Sequence, residues 1–245
     1  MLRDLCTGKV LPVLCACVAM LRVASADVVC YEYLTISGGK QDKGARLLTN
    51  YIPKDNTVIR ARYSSSGNGT ASQYLFCSRL KENVGNFSFL PASGGKFRFD
   101  YGSAQCASDV SFAAGRYYDV EAGKGVSDVV DFSTSEGVRL ETGEHLFNSQ
   151  YKLALFQSYG DGATYGGWDN SFKGRFCYLL IYETEDGKEV LKHYFVPCKE
   201  DGVVKLCDLA DVNKVRYELV TDSDVTVTAG GPVIIYPDLI TDYSA

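Results

Sequence analysis

Residues 171–198 read SFKGRFCYLLIYETEDGKEVLKHYFVPC. Taken as extended chain, Phe176, Tyr178, Leu180 and Tyr182 fall on one face, and Cys177, Leu179 and Ile181 on the other, because side chains alternate along a strand. Both faces are largely apolar. Such a strand is covered on both sides, or has one face in a core and the other lining a groove. Asp186-Gly187 supplies a turn, since glycine accepts positive φ without a Cβ penalty. The chain then returns over 190–196, with Val190, Tyr194 and Val196 sharing a face. Pro197 has no N–H to give a ladder, so the strand is expected to end there or lie at an edge. β-branched and aromatic residues, with the Asp-Gly turn, decide for a hairpin over a helix.

The same texture extends in both directions from this hairpin. Strands are expected over 28–36, 47–52, 57–63, 73–80, 87–90, 96–101 and 112–120. Others follow over 126–132, 138–141, 152–157, 203–207, 215–220, 225–228 and 233–236. In one of these, Thr57, Ile59, Ala61 and Tyr63 alternate with Val58, Arg60 and Arg62, the mark of a half-buried strand. No stretch sustains a helical period. Many short strands between Gly-rich turns predict a sandwich or barrel. The 245 residues are 46% hydrophobic, ample for a core, and contain 17 Tyr against one Trp. The net charge of −5 and the lack of a basic run argue against a nucleic-acid partner.

The N-terminus has the layout of a secretory signal. Arg3 and Lys9 precede an apolar run over 10–21, and Ala24-Ser25-Ala26 offers small residues for cleavage. The run is short for a membrane span. Residues 1–26 are therefore read as a signal peptide and 27–245 as one domain with no transmembrane segment. That domain is expected to be secreted, periplasmic or on the cell surface. Cys6, Cys15 and Cys17 leave with the signal. Cys30, Cys77, Cys106, Cys177, Cys198 and Cys207 remain, an even set in an oxidising route. Cys198 and Cys207 could close a small loop around Asp201-Gly202 as a disulfide. Buried free thiols are the alternative, because Cys packs as a small hydrophobe.

Signs of catalysis are weak. Glycan-cleaving jelly rolls place paired carboxylates on one strand face. The nearest run, Glu183 to Glu189, contains the turn glycine and reads as a solvated hairpin tip. His145 and His193 have no neighbouring Ser or Cys in a triad signature and read as structural. No phosphate loop occurs. The glycosylation triplets Asn68-Gly69-Thr70 and Asn86-Phe87-Ser88 are formally present.

The binding candidate is the loop over 158–170, which holds Tyr159, Asp161, Tyr165, Trp168, Asp169 and Asn170. Aromatic faces stack on the apolar faces of sugars, while Asp and Asn bond hydroxyls or offer oxygen ligands to calcium. Calcium is the one cofactor this loop would accommodate, and no other is expected. The competing reading has Trp168 folding back over a sheet edge.

Several ordered pieces carry a resemblance. They include Ser37-Gly38-Gly39, Tyr51-Ile52-Pro53, the run from Lys96 through Tyr101 to Gly102, Gly174-Arg175-Phe176, Phe195-Val196-Pro197-Cys198 and Ala229-Gly230-Gly231-Pro232. Their order resembles the laminin-G-like, concanavalin A-like jelly-roll domains of bacterial surface and phage-associated proteins. The sequence departs from that pattern at Cys77 and Cys207, where Gly and an aromatic are expected. The resemblance implies an all-β fold of two packed antiparallel sheets, frequent binding roles and usually no chemistry. The expectation is an exported non-catalytic module that binds a glycan or a cell-surface ligand. A structural or adhesion protein with protein partners is the alternative, and a glycan-cleaving enzyme ranks last.

Overall fold

A computed structural model describes residues 28–39, 44–66, 73–79, 85–143, 147, 149–160, 163–164 and 171–236. The expected signal peptide, His145 and Asn68 lie outside these residues. The strands in chain order begin with β1 (Val28–Gly38), β2 (Ala45–Leu48), β3 (Thr57–Ser65), β4 (Phe76–Ser78), β5 (Asn86–Ser93) and β6 (Lys96–Gly102). They continue as β7 (Ala104–Ser111), β8 (Tyr118–Gly123), β9 (Val126–Asp131), β10 (Gly137–Glu141), β11 (Ala154–Leu155), β12 (Tyr159–Gly160) and β13 (Ala163–Thr164). The last are β14 (Gly174–Glu185), β15 (Lys188–Glu200), β16 (Val203–Asp208), β17 (Arg216–Glu218), β18 (Val220–Thr221) and β19 (Val225–Tyr236).

The strands form a large sheet in the order β10-β9-β8-β3-β14-β1-β15-β16-β17, with β19 added on β1, and a small sheet in the order β18-β2-β11-β4-β5-β6-β7. Every pairing between these described strands is antiparallel. This is a two-sheet antiparallel jelly-roll sandwich. Its core lies where Ile59, Ala61, Tyr63, Leu179 and Ile181 of the large sheet meet Phe76, Phe87, Phe89 and Phe99 of the small one, all essentially without solvent contact. Phe87 stands among Phe76, Phe99, Tyr101 and Phe147, with ring centroids 5.7–5.9 Å away.

The anchoring hairpin is β14–β15, and Asp186 and Gly187 at its tip both take positive φ, as a tight two-residue turn demands. Its faces differ from simple alternation. Phe176 pairs with Tyr63 and Tyr178 with Arg62, so Cys177 is the extra residue of a β-bulge. The bulge turns Phe176 inward with Leu179 and Ile181 and leaves Tyr178, Leu180 and Tyr182 outside. A second register shift, at Lys192, puts Val190 opposite Glu183 and Tyr194 opposite Leu180, so Val190 and Tyr194 do not share a face.

Pro197 does not end β15, which runs on to Glu200. The carbonyl of Tyr194 accepts the N–H of Leu209, so Tyr194, Val196 and Cys198 aim their backbone groups at β16. Pro197 therefore points its missing donor at the opposite edge, beyond Phe195, where pairing with β14 has already stopped. β1 enters that opening, with Leu34–Ile36 on β14 and Cys30 opposite Cys198 of β15.

Other departures are local. The stretch 112–117 lies outside any strand, and β7, which was not expected, pairs with β6 instead. The expected strands at 225–228 and 233–236 are one strand, β19.

Two glycines of β14–β15 make a test of the bulged geometry. A Cβ on Gly174 (φ 141°) would sit 2.0 Å from the Ser64 carbonyl oxygen, whereas one on Gly187 (φ 76°) meets nothing. Gly187→Ala is expected to cost about 1 kcal/mol, the left-handed backbone penalty alone. Gly174→Ala is expected to cost clearly more in urea unfolding, because backbone must also move. Equal losses at the two positions would contradict the close approach of β3 to β14.

Candidate functional site

The outward face of the large sheet carries the most organised polar and aromatic surface among the described residues. Register builds it. Arg62 on β3 stands between Tyr178 of β14 and Asp119 of β8, and Arg60 stands between Leu180 and Glu121. Directly opposed cross-strand side chains lie close enough to bond. Arg62 donates Nε to Asp119 Oδ1 at 2.7 Å and Nη2 to Oδ2 at 2.9 Å. Its guanidinium lies 4.0 Å from the centroid of the Phe132 ring and 5.7 Å from that of Tyr178. Arg60 donates through both terminal nitrogens to Glu189, each at 2.8 Å, and lies 4.9 Å from the Tyr182 centroid. The hydrogen bonds to Asp119 hold Arg62 above its ordinary pKa. Burial, then Asp119, pushes the Tyr178 phenol up.

Phe132, just beyond β9, keeps 57% of its surface exposed despite the arginine beside it. A recess of about 330 Å³ opens nearby, lined by Arg60, Asp119, Glu121, Asp128, Val130 and Tyr178. The arrangement offers apolar ring surface beside fixed carboxylate acceptors and guanidinium donors. That combination suits a polyhydroxylated ligand with one apolar face.

A second concavity of about 530 Å³ lies between the sheets, lined by Phe97, Val110, Val129, Val138, Arg116 and Asp131 among others. Asp131 is committed within the fold. Hydrogen bonds from Ser133 and from Arg116 lower its pKa to about 2.

Of the loop residues expected to bind, Asp161, Tyr165, Trp168, Asp169 and Asn170 lie outside the described residues. Tyr159 is described only as part of the backbone of β12, which pairs with β13 and lies alongside β4 in the small-sheet half. The calcium expectation falls on the same undescribed residues. Among the described residues no group of three or more His, Cys, Asp or Glu could hold a metal. Cys198 and Cys207 are both free thiols here.

The Glu183–Glu189 run is only partly a solvated tip. Glu183 is buried, accepting from Tyr51 Oη at 3.1 Å and paired with Lys54 at 2.8 Å. Burial works to raise its pKa, and Lys54 and Tyr51 outweigh that and lower it. His193 sits 2.6 Å from the buried Asp208 carboxylate and packs on the rings of Phe195 and Tyr51. These partners close the end of the core. Asn86 is buried at 0% exposure, so the second glycosylation triplet is inaccessible in the fold.

Sequence reading did not find the surface around Arg62. The alternation of Val58, Arg60 and Arg62 on one face was legible. Which neighbours that face would meet depends on the register of three strands, and the sequence carries no local signal for it.

No family profile matches the chain, and no curated protein matches it. Among solved structures, a native heptameric SAP-like pentraxin from Limulus polyphemus is 14% identical, covering 85% of this chain and 94% of its own, with a TM-score of 0.44. The enzymatically active domain of tailspike protein 2 from bacteriophage CBA120 is 11% identical, covering 65% of this chain and 29% of its own, with a TM-score of 0.43. A scytalido-glutamic peptidase bound to a transition state analog inhibitor is 11% identical, covering 79% of this chain and 100% of its own, with a TM-score of 0.35. The fold assignment rests on the two sheets themselves.

Proposed function

We propose that this chain is an exported, non-catalytic binding module for a glycan or a similar cell-surface ligand. The observation that carries the reading is the preorganised patch of Phe132, Arg62, Asp119 and Tyr178 on the open face of the large sheet. Its arginine is fixed by a bidentate carboxylate, so the ring and the polar groups are held before any ligand arrives. Preorganisation reduces the ordering cost of binding. The signal-like N-terminus supports export.

A glycan array probed with the chain from residue 27 onward tests this. Retention of at least one sugar at millimolar concentration is expected. No sugar retained would remove the glycan reading. A protein partner is the second reading. Val29 and Val233, on the adjoining strands β1 and β19, are 44% and 54% exposed and favour it.

A further inference from the structure

Three of the cysteines converge on the outward face of the large sheet. Cys30, Cys198 and Cys207 form one buried cluster with Val196 and Leu209. Their positions within it differ. Cys30 stands directly opposite Cys198 across β1 and β15. Cys207 stands opposite Val196, and Cys198 opposite Lys205, so Cys207 is only diagonal to Cys198.

Backbone direction sharpens the contrast. Cys198 aims its own N–H and C=O at β16, as Tyr194 does. Its pairing with Cys30 on the other edge is therefore of the non-hydrogen-bonded kind, in which Cα atoms approach to about 4.5 Å. A disulfide spans Cα separations of about 4.4–6.8 Å. Diagonal neighbours stand roughly 7–8 Å apart, beyond that range.

We propose that Cys30 and Cys198 form a disulfide that staples the first described strand to the sheet, with Cys207 remaining a thiol beside it. Both side chains point into the same cluster, so no strand has to turn over. Each cysteine gives up its thiol proton and one S–S bond forms. The two electrons pass to a disulfide oxidant, which is reduced to two thiols. Burial pushes the Cys30 thiol up to about 12, which makes it a poor nucleophile once the fold has closed. The bond therefore forms while the chain is still folding. In the reduced protein the Cys198 thiol donates to Cys207, which is the competitor that register disfavours. The inference takes its oxidising surroundings from the proposed export and does not depend on any ligand.

The test refolds the full chain in a buffer of reduced and oxidised glutathione, blocks free thiols with iodoacetamide and digests with trypsin without reduction. Cys198 then lies in peptide 193–199, Cys207 in peptide 206–214 and Cys30 in the peptide ending at residue 40. Peptide 193–199 is expected to be joined to the Cys30 peptide in most molecules. The same link is expected in Cys207→Ala. Peptide 193–199 joined to 206–214 in the wild-type chain would overturn the proposal, and so would finding Cys198 alkylated. Because the deciding readout is on the wild-type chain, a variant that fails to fold changes nothing. Sugar retention is measured separately, so failure of the staple and failure of the binding reading are distinguishable.

Discussion

Phe87→Ala is expected to destabilise the protein by about 3–5 kcal/mol, the cost of deleting a fully buried aromatic ring. Phe87 has no solvent exposure. Its ring stacks on Phe76 and meets the edges of Phe99 and Tyr101. Removing it takes away the dispersion contacts of several neighbours at once, and close-packed interiors relax only in part. Urea unfolding should show a lower midpoint with an unchanged slope. Phe132→Ala is the control, since Phe132 is mostly exposed and outside the core. A loss at Phe87 no greater than at Phe132 would mean that the two sheets do not meet where described.

The second large effect is electrostatic. Asp100 has no exposed surface, and its carboxylate accepts from Arg98 Nε at 2.7 Å and Nη2 at 3.0 Å. Both side chains lie on the small-sheet face turned away from the core, opposite Ser88 and Leu90. Burial raises the Asp100 pKa above the ordinary 3.8, and Arg98 opposes that rise without cancelling it. A carboxyl whose folded pKa is raised holds its proton more tightly when folded. Its ionisation thus takes stability away as pH climbs from the unfolded value through the folded one. Arg98→Ala removes the main opposing influence and leaves a buried charge uncompensated. The expected loss is about 3 kcal/mol at pH 7, shrinking toward pH 4 as Asp100 takes up a proton. Replacing the pair together, with Arg98→Met and Asp100→Leu, should recover most of that loss, since apolar substitutes avoid the desolvation cost. A loss from Arg98→Ala alone that is independent of pH would contradict this account.

The sandwich itself was legible because its evidence is local. Alternation in 57–63, the Asp186-Gly187 turn and the density of short strands all act within a few residues. What escaped depends on partners far along the chain. The bulge at Cys177 moves Phe176 from the face of Tyr178 to that of Leu179, and a sequence that is apolar on both faces gives no sign of it. β7, reading AQCASDVS, has small and polar residues because it is an edge strand paired only with β6. Little about it looks like a strand in isolation. Glu183 reads as part of a charged tip because its partners, the buried Tyr51 and the exposed Lys54, lie more than a hundred residues earlier. Pro197 has no donor to give, but pairing with β14 stops at Phe195 and only β1 meets that edge, so β15 continues past it. The Arg62 surface was hidden for the same reason as the bulge. Arg62, Asp119, Phe132 and Tyr178 become neighbours only after four strands, β3, β8, β9 and β14, take their register.

The binding claim is tested most directly by repeating the sugar-retention measurement with substituted chains. The wild-type protein, Arg62→Ala, Phe132→Ala and Trp168→Ala are compared on the most strongly retained glycan, each checked for an unchanged far-ultraviolet spectrum. About tenfold weaker binding is expected for each of the first two variants, equivalent to roughly 1.4 kcal/mol. Trp168→Ala is expected to bind as the wild type does. Undiminished binding by Arg62→Ala and Phe132→Ala, with loss in Trp168→Ala, would place the contact surface elsewhere and contradict the account.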